Sequence, residues 1–302
     1  MELRDLRYFE AIADLQHVGR AALRLHRTQP ALTGSVRRLE AECGAALFRR
    51  AGRGIELTEA GGVLLQWARR LRHGVDDARR ELATLGQGLR GHVRVGIVPT
   101  AAQFILPGVA RRLLKEAPDV TLATVTGLVD TLKPKLIAGE LDLVVGTESR
   151  MEAGCVSRLL AEDAVVVAAS ARHPLFRGDP PTLADLTRYG WALQPPGAPT
   201  RDWLDNAFDR KRLPRPRVQV EATMLLMLPA LIAETGLLSF VSRLHLQAAT
   251  GRPILKEVPV RGATMRRRMV ITHRGRDSLS PATARLVDLF VASSSGAAPE
   301  ID

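Results

Sequence analysis

The 302-residue sequence contains only two cysteines and no uninterrupted apolar run of about 18 residues. Two cysteines do not make the disulfide framework of a small secreted protein, and shorter apolar runs do not span a bilayer. The N-terminal segment MELRDLRYFE mixes acidic and basic residues and lacks the apolar stretch of a secretory signal. We therefore expect a cytoplasmic protein without a membrane segment.

Signatures of catalysis are missing as well. The seven histidines do not occur in H-E-x-x-H spacing, and no G-x-S-x-G sequence is present. Residues 86–91 match G-x-G-x-x-G, but a helical pattern precedes them and a strand pattern follows, the reverse of a dinucleotide-binding unit. We interpret this segment as a hinge. The sequence predicts no catalytic residue, no metal site and no cofactor.

Lysine is absent from the first 90 residues, which contain 16 arginines and 11 acidic residues. The chain as a whole has a net charge of +11, which favours polyanionic partners. Arginine suits contacts to phosphate and to guanine. A GC-rich coding sequence would produce the same preference for arginine over lysine.

Residues 18–48 contain two helical patterns separated by a short break. Their apolar residues follow helical spacing at Val18, Ala21, Ala22 and Leu25, then at Leu32, Val36, Leu39 and Cys43. Thr28 is placed at the N-cap of the second helix, and Cys43 is expected to be buried. The opposite face of this helix is small, polar and basic, as a helix in a DNA major groove requires. The alternative is an ordinary solvated helix pair.

Two strand-like pieces and a long helical pattern follow. Segments 47–50 and 55–58 flank a Gly-rich turn that carries Arg53, which predicts a wing with Arg50 and Arg53 near DNA. A solvated hairpin tip is the alternative. Thr58 is expected to cap the next helix, whose apolar residues repeat almost as heptads. This seam consists of Leu64, Trp67, Leu71, Val75, Ala78, Leu82 and Leu85. It predicts a homodimer or, alternatively, packing against the chain's own C-terminal part.

From residue 91 the patterns alternate strand, helix, strand, helix, strand. This order predicts a parallel sheet with a ligand site at the carboxyl ends of its strands, at 99–101, 126–128 and 146–148. A second unit begins at Asp163, and the chain rejoins the first unit near Arg266. Ser280 and Pro281 begin a final helix. Thr200 is placed as an N-cap, so Arg201 is either an anion-binding residue or a surface arginine at a helix start.

The chain resembles LysR-type transcriptional regulators over nearly its whole length. The segments that carry the resemblance are LRYFEAIAD, RAALRLHRTQPALTGSVRRLEAECGAALFRR, GRGIELTEAG, VRVGIVPT, LIAGELDLVVG and ADLTRYGWALQPPG. The resemblance implies an α/β protein with an N-terminal winged helix-turn-helix, a dimerising linker helix and a two-lobed effector domain like periplasmic binding proteins. It also implies tetramers, RNA polymerase recruitment and a small-molecule effector. The effector half is similar to the branch that responds to sugars or aromatic acids.

Three domains are predicted on this basis: a winged helix-turn-helix at 1–58, a linker helix with hinge at 59–90, and an effector domain at 91–302. Within the last, lobe I covers about 91–162 and 266–293, and lobe II about 163–265. The candidate DNA-binding residues are Arg27, Thr28, Gln29, Pro30, Thr33, Gly34, Ser35, Arg37, Arg38, Arg50 and Arg53. The candidate effector-binding residues are Thr100, Ala101, Thr126, Gly127, Leu128, Thr147, Gly197, Thr200, Arg201 and Thr223.

Two positions depart from the family's pattern. Gly34 stands where a long basic side chain is common, which either permits close approach of the backbone to DNA or has no role. Leu128 replaces a hydroxyl residue that often hydrogen-bonds the effector. The function predicted is sequence-specific binding of double-stranded DNA under effector control. The alternatives are a C-terminal ligand-binding or enzymatic domain tethered by the DNA domain, and a constitutive architectural DNA-binding protein.

Overall fold

The computed structural model describes residues 1–52, 54–83, 89–150, 152–247, 254–275 and 279–294. The N-terminal part consists of four helices and one hairpin. Their bounds are α1 Leu3–Leu15, α2 Val18–Arg24, α3 Gln29–Cys43, β1 Phe48–Ala51, β2 Gly54–Leu57 and α4 Glu59–Ala83. β1 and β2 pair antiparallel, which confirms the predicted wing.

Helix α3 begins and ends where the local sequence favours it. Thr28 occupies the N-cap position as predicted, although its side chain makes no capping hydrogen bond, and Pro30 lies in the first turn. The helix ends at Gly44, whose φ of 66° is the left-handed conformation of a C-cap. The prediction for Cys43 is wrong, because this residue is exposed. The packed face of α3 contains Leu32 and Leu39. Cys43 is the last residue of the helix and lies beyond the core.

Helix α4 begins as predicted, with the Gly61 amide donating a hydrogen bond of 3.0 Å to the Thr58 hydroxyl. Its 25 residues extend about 37 Å. Leu64 and Ala68 are buried in the core of the N-terminal domain together with Phe9. Other apolar side chains of the predicted seam are exposed, with Trp67 at 54% and Leu82 at 67%. Most of the seam is therefore not buried against the chain's own C-terminal part; Leu85 lies outside the described residues.

The C-terminal part is built on a seven-stranded mixed sheet. Its main path runs β10-β6-β11-β5-β3-β4, and β9 pairs with β6. The first elements are β3 Gly91–Ile97, α5 Pro99–Phe104, α6 Leu106–Glu116, β4 Val120–Thr126, α7 Val129–Ile137 and β5 Leu143–Thr147. β3 pairs parallel with both β4 and β5, which confirms the predicted parallel order.

The remaining elements complete a second lobe and return to the first. They are β6 Cys155–Ser170, β7 Gly190–Leu193, α8 Pro199–Arg210, β8 Arg217–Glu221, α9 Leu228–Glu234, β9 Ser239–Ser242, α10 Leu244–Gln247, β10 Leu255–Glu257, β11 Thr264–Arg274 and α11 Pro281–Ser294. The Ser280 hydroxyl accepts from the Thr283 amide, which confirms the predicted cap of α11. β6 and β11 pair antiparallel along most of their length and cross from one lobe to the other.

Two apolar cores flank this crossing. One contains Ile97, Leu113 and Ile271, and the other contains Trp191 and Phe208. Asp163, where the second unit was expected to begin, instead lies in the middle of the 16-residue strand β6. The sequence pattern alone does not reveal this continuity, because the first half of β6 packs against one core and the second half against the other. In the described ranges, none of the helices is long and apolar enough to cross a bilayer.

Candidate DNA interface and effector cleft

The solvent face of α3 is formed by polar and basic side chains. Gln29, Pro30 and Arg37 are exposed, and Thr33 and Gly34 are half-buried beside them. The Thr33 hydroxyl donates to the Gln29 carbonyl at 3.0 Å, which leaves its methyl group for apolar contact. In the part of the chain that the structure describes, Arg37 makes no ion pair. This face therefore presents an amide and an uncompensated cation to solvent.

Ser35 and Arg38 hold α3 against α1. Ser35 is completely buried, and its hydroxyl donates to Asp5 Oδ1 at 2.7 Å; Arg38 donates to the same oxygen at 2.7 Å. Burial alone would raise the pKa of Asp5, but the hydrogen bonds from Arg38 and Ser35 outweigh it and lower that pKa. The assignment of Ser35 to the DNA interface is therefore wrong. Its position three residues after Leu32, on the packed face, is the signal that was available.

The wing and the beginnings of α2 and α3 border a shallow groove of about 240 Å³. Arg50 lines it together with Gln29 and His17. His17 is the N-cap of α2, since its Nδ1 accepts from the Arg20 amide at 3.3 Å. Arg27 and Thr28 lie exposed in the turn before α3. Arg53 lies outside the described residues. His17 was not predicted, because histidine is not among the usual N-cap residues Ser, Thr, Asp and Asn.

A second cavity, of about 650 Å³, lies between the lobes. The carboxyl ends of β3, β4 and β5 converge on it, as the parallel order requires. Side chains from both lobes and from β11 line it: Val98, Pro99, Thr100, Leu128, Val129, Asp130, Thr147, Glu148, Ser149, Glu162, Gln194, Pro199, Thr200, Leu225, Met265, Arg266, Arg267 and Arg268. We refer to this cavity as the effector cleft. Its volume fits a small organic molecule.

A buried ion pair forms part of the cleft wall. Arg267 contacts Asp163 at 2.6 Å, and the other carboxylate oxygen of Asp163 accepts from the Ser242 hydroxyl at 2.7 Å. Arg267 also donates to Thr100 Oγ1 at 3.4 Å. Asp163 and Arg267 were not predicted as site residues. The strand period of two separates Arg267 from Arg266 and Arg268 in the Arg-Arg-Arg run, but it does not indicate a partner 104 residues away.

The predicted effector residues divide into two groups. Thr100, Leu128, Thr147 and Thr200 line the effector cleft. The residues that do not line it are Ala101, Thr126, Gly127, Gly197, Arg201 and Thr223. The assignment of Ala101 is wrong, because it is completely buried in the first core. Ala101 lies on the packed side of α5, which begins directly after Val98. The position of a residue at the end of a strand does not show which side of the following helix it occupies.

Arg201 and Thr200 have internal partners. Arg201 Nε donates to both carboxylate oxygens of Asp205 at 2.9 and 3.0 Å, and the Arg201 side chain is only 10% exposed. The helix begins at Pro199 with Ala198 as its N-cap, so the capping role predicted for Thr200 is wrong. The Thr200 hydroxyl instead donates to Gln194 Oε1 at 2.5 Å. This bond leaves the amide protons of Gln194, a buried residue of the cleft wall, as donors.

Two histidines of the second lobe are removed from solvent, His173 fully and His245 partly. His245 Nδ1 lies 3.2 Å from the Ser242 carbonyl, and its ring meets Phe104 of α5 edge-on at 4.9 Å. Burial lowers the pKa of His245, and burial likewise lowers the pKa of His173. Burial therefore disfavours the protonated form of both imidazoles. In the described residues, His, Cys, Asp and Glu side chains do not form a group of three that could hold a metal ion.

Comparison with known proteins matches both parts of the chain. Residues 3–62 match the family described as "Bacterial regulatory helix-turn-helix protein, lysR family", and residues 86–295 match "LysR substrate binding domain". The HTH-type transcriptional regulator GbpR of Azospirillum brasilense is 30% identical over 246 residues, which is 80% of this chain and 72% of that protein.

Solved structures agree over the full length. Full-length CbnR complexed with its target DNA is 25% identical, with a TM-score of 0.67, and the match covers 97% of this chain and all of that chain. A full-length OxyR variant from Pseudomonas aeruginosa is 25% identical with the same TM-score, over 97% of this chain and 94% of that chain. The predicted family and fold class are thus confirmed. The chain belongs to the LysR family of DNA-binding transcriptional regulators and contains both the helix-turn-helix and the substrate-binding domain of that family.

Proposed function

We propose that the chain recognises its operator through α3 and the wing. Gln29 pairs with adenine through its amide, and Arg37 contacts guanine or phosphate. Arg50 binds the backbone or minor groove beside them, since it lines the same groove as Gln29. The carrying observation is the exposed, uncompensated Arg37 on the solvent face of α3. The other members of this proposed interface are Arg27, Thr28, Pro30, Thr33, Gly34, Arg38 and Arg53.

The protein acts as a homodimer or homotetramer in this proposal. The exposed side chains of α4 support it, because Val63, Trp67, Leu71 and Leu82 form an apolar stripe along one helix. Pairing of two such helices would bring two copies of α3 to the two halves of a palindromic operator. The proposed domain division is 1–58, 59–90 and 91–302, with the lobes meeting near 162–163 and 265–266.

The effector proposed is a small sugar or aromatic acid. Three features of the cleft support an acceptor-rich ligand with an apolar part. The Gln194 amide protons and the Thr100 hydroxyl can donate, because the oxygens of both side chains already receive hydrogen bonds. Arg266 lines the cleft without an ion pair in the described ranges. Leu128, Val129 and Leu225 supply apolar surface. The protein works in the cytoplasm with RNA polymerase as a partner and without catalysis.

Selection from a random duplex library tests the DNA-binding proposal. Wild type is expected to enrich a palindromic sequence, and Gln29→Ala is expected to change the bases preferred in each half-site. Arg50→Ala is expected to weaken binding to all sequences alike and to reduce the salt dependence by about one charge. Ser35→Ala is the matched control in the same helix, because the Ser35 hydroxyl is buried. This variant should prefer the same sequence as wild type. Identical preferences for wild type and Gln29→Ala would contradict the proposal.

A thermal-shift screen of sugars and aromatic acids tests the effector proposal. A ligand at a hundred times its Kd is expected to stabilise wild type by about 2.7 kcal/mol. Thr100→Val keeps the shape of the side chain but removes its hydroxyl, so it should reduce this stabilisation. If Thr100→Val and wild type respond equally to every ligand, Thr100 has no role in binding.

A further inference from the structure

Helix α7 connects the effector cleft with the linker helix α4. Its N-cap, Leu128, and its first two residues, Val129 and Asp130, line the cleft. Its last residue, Ile137, has a carbonyl oxygen that accepts a hydrogen bond from Arg70 Nε of α4 at 2.7 Å. The nine residues of α7, which include Pro134, extend about 13 Å, so the helix runs from the cleft to the linker helix. One end of α7 therefore contacts the cleft, and the other contacts the linker helix.

The contact at the far end of α7 involves more than one bond. Arg69 lies 3.8 Å from Glu140, which follows α7 and also pairs with Lys135 at 2.9 Å. His73 Nδ1 lies 3.0 Å from a guanidinium nitrogen of Arg94 in β3. Gly139 has a φ of 77°, and a Cβ there would lie 3.5 Å from the Cβ of His73 and 2.8 Å from Arg274. Arg70 of α4 thus contacts the last residue of α7, and Arg69 and His73 lie beside the turn that follows it, where cations are favourable.

The same face of α4 also holds the DNA-binding domain. Arg69 donates to Asp14 of α1 at 2.6 Å, so one guanidinium contacts both the effector lobe and the DNA-binding domain. Arg72 binds both carboxylate oxygens of Glu10 in α1. The guanidinium of Arg70 lies 4.9 Å above the ring of Trp67, which belongs to the exposed apolar stripe of α4. A displacement of α7 would consequently reach α1 and the proposed dimer surface through α4.

We propose that α7 and Arg70 transmit effector binding within one subunit, from the cleft to the linker helix and the DNA-binding domain. This inference rests on the proposed function of the cleft. A ligand that presses on the first turn of α7 shifts the Ile137 carbonyl relative to Arg70, and α4 then adopts a second position. Arg70 is a positioning residue in this scheme, since it contacts neither the ligand nor DNA. Coupling of this kind has a free energy that a mutation of the connecting contact removes.

A double-mutant cycle on the full-length protein tests the proposal. Leu128→Trp places a tethered apolar occupant in the cleft at the cleft end of α7, where Leu128 is 41% exposed. Arg70→Met removes the hydrogen bond to Ile137 but keeps an unbranched side chain. The measurement is affinity for the duplex that wild type selects from a random library. We expect Leu128→Trp to change this affinity by about tenfold in the wild-type background and by less than about twofold in the Arg70→Met background.

Arg79→Met is the matched control, because Arg79 lies on the same helix and pairs only with Asp76 at 3.9 Å among the described contacts. The tenfold effect of Leu128→Trp should persist in that background. An equal effect in the wild-type and Arg70→Met backgrounds, or no effect in either, overturns the inference while sequence-specific binding by wild type upholds the proposed function. Failure of wild type to select any sequence overturns both. If the Trp variant is not folded, Leu128→Phe is used in the same cycle.

Discussion

The arginines of the DNA-binding face and those of the effector domain differ in their partners. Arg37 and Arg50 are exposed and make no ion pair within the described residues. Arg267 and Arg201 are nearly buried, and each binds a carboxylate within 3 Å. An uncompensated surface arginine can release counterions from DNA, whereas a paired one only positions its neighbours. The partners of these four arginines, and not their residue type, therefore distinguish the proposed DNA contacts from the structural pairs of the effector domain.

The largest effect expected from this difference is on stability. Asp163→Ala leaves Arg267 buried without its partner, and we expect a loss of about 3–5 kcal/mol in the free energy of unfolding. Urea denaturation measures it. Asp209→Ala is the control, because Asp209 and Arg215 form an exposed pair whose loss should lower the free energy of unfolding far less. Equal losses for the two variants would contradict the distinction between buried and exposed pairs.

Arg37 and Arg38 provide the next test, since they are neighbours on one helix. Arg37→Ala is expected to lower affinity for the selected duplex by roughly ten- to a hundredfold, about 1–3 kcal/mol, with stability nearly unchanged. Arg38 binds Asp5, so Arg38→Ala should instead reduce stability and affect affinity less. Gel-shift titration and urea denaturation of both variants distinguish the two. Exchange of these effects between the variants would show that the paired arginine is the DNA contact.

Gly34→Ala should raise stability by about 0.5–1 kcal/mol. The added Cβ would have only Arg38 within 4 Å, at 3.8 Å, so it fits without displacement. Gly62→Ala in α4 is the control, because nothing lies within 4 Å of its Cβ position and a similar gain is expected. Weaker DNA binding by Gly34→Ala alone would support close approach of the backbone to DNA. Loss of stability in Gly34→Ala, measured by urea denaturation, would contradict the prediction.

The smallest expected effect is a pH dependence of the effector domain. Burial lowers the pKa of His173 and of His245 from the ordinary 6.5, so the unfolded chain binds protons first as the pH falls. The contribution of these two histidines to the free energy of unfolding is therefore fully present above pH 6.5 and is lost as the pH falls below it. Urea midpoints from pH 8 to 5.5 measure this loss, and His245→Phe, which keeps an aromatic ring beside Phe104, should reduce it. A midpoint that rises on acidification would show that these imidazoles are charged in the folded protein.

Local patterns in the sequence predicted most of the elements. The spacing of Leu32 and Leu39, the Thr58 cap and the strand order from residue 91 depend on neighbours within a few turns, and each was confirmed. The parallel order also predicted that residues from all three strand ends meet at one cavity, and Pro99, Thr100, Leu128, Thr147 and Glu148 line it. These features are local or topological, so they need no knowledge of side-chain contacts.

The sequence by itself determined the family, the winged helix-turn-helix and the cleft at the strand ends. Only the tertiary structure decided which polar residues are free. The buried Ser35 donates a hydrogen bond to Asp5, and Arg201 forms an ion pair with Asp205. Arg267 is paired with a residue 104 positions away. It also decided that α7 ends against α4, where Arg70 meets Ile137. The physical reason is that hydrogen bonds and ion pairs depend on distances in space, which helix and strand periodicity do not encode.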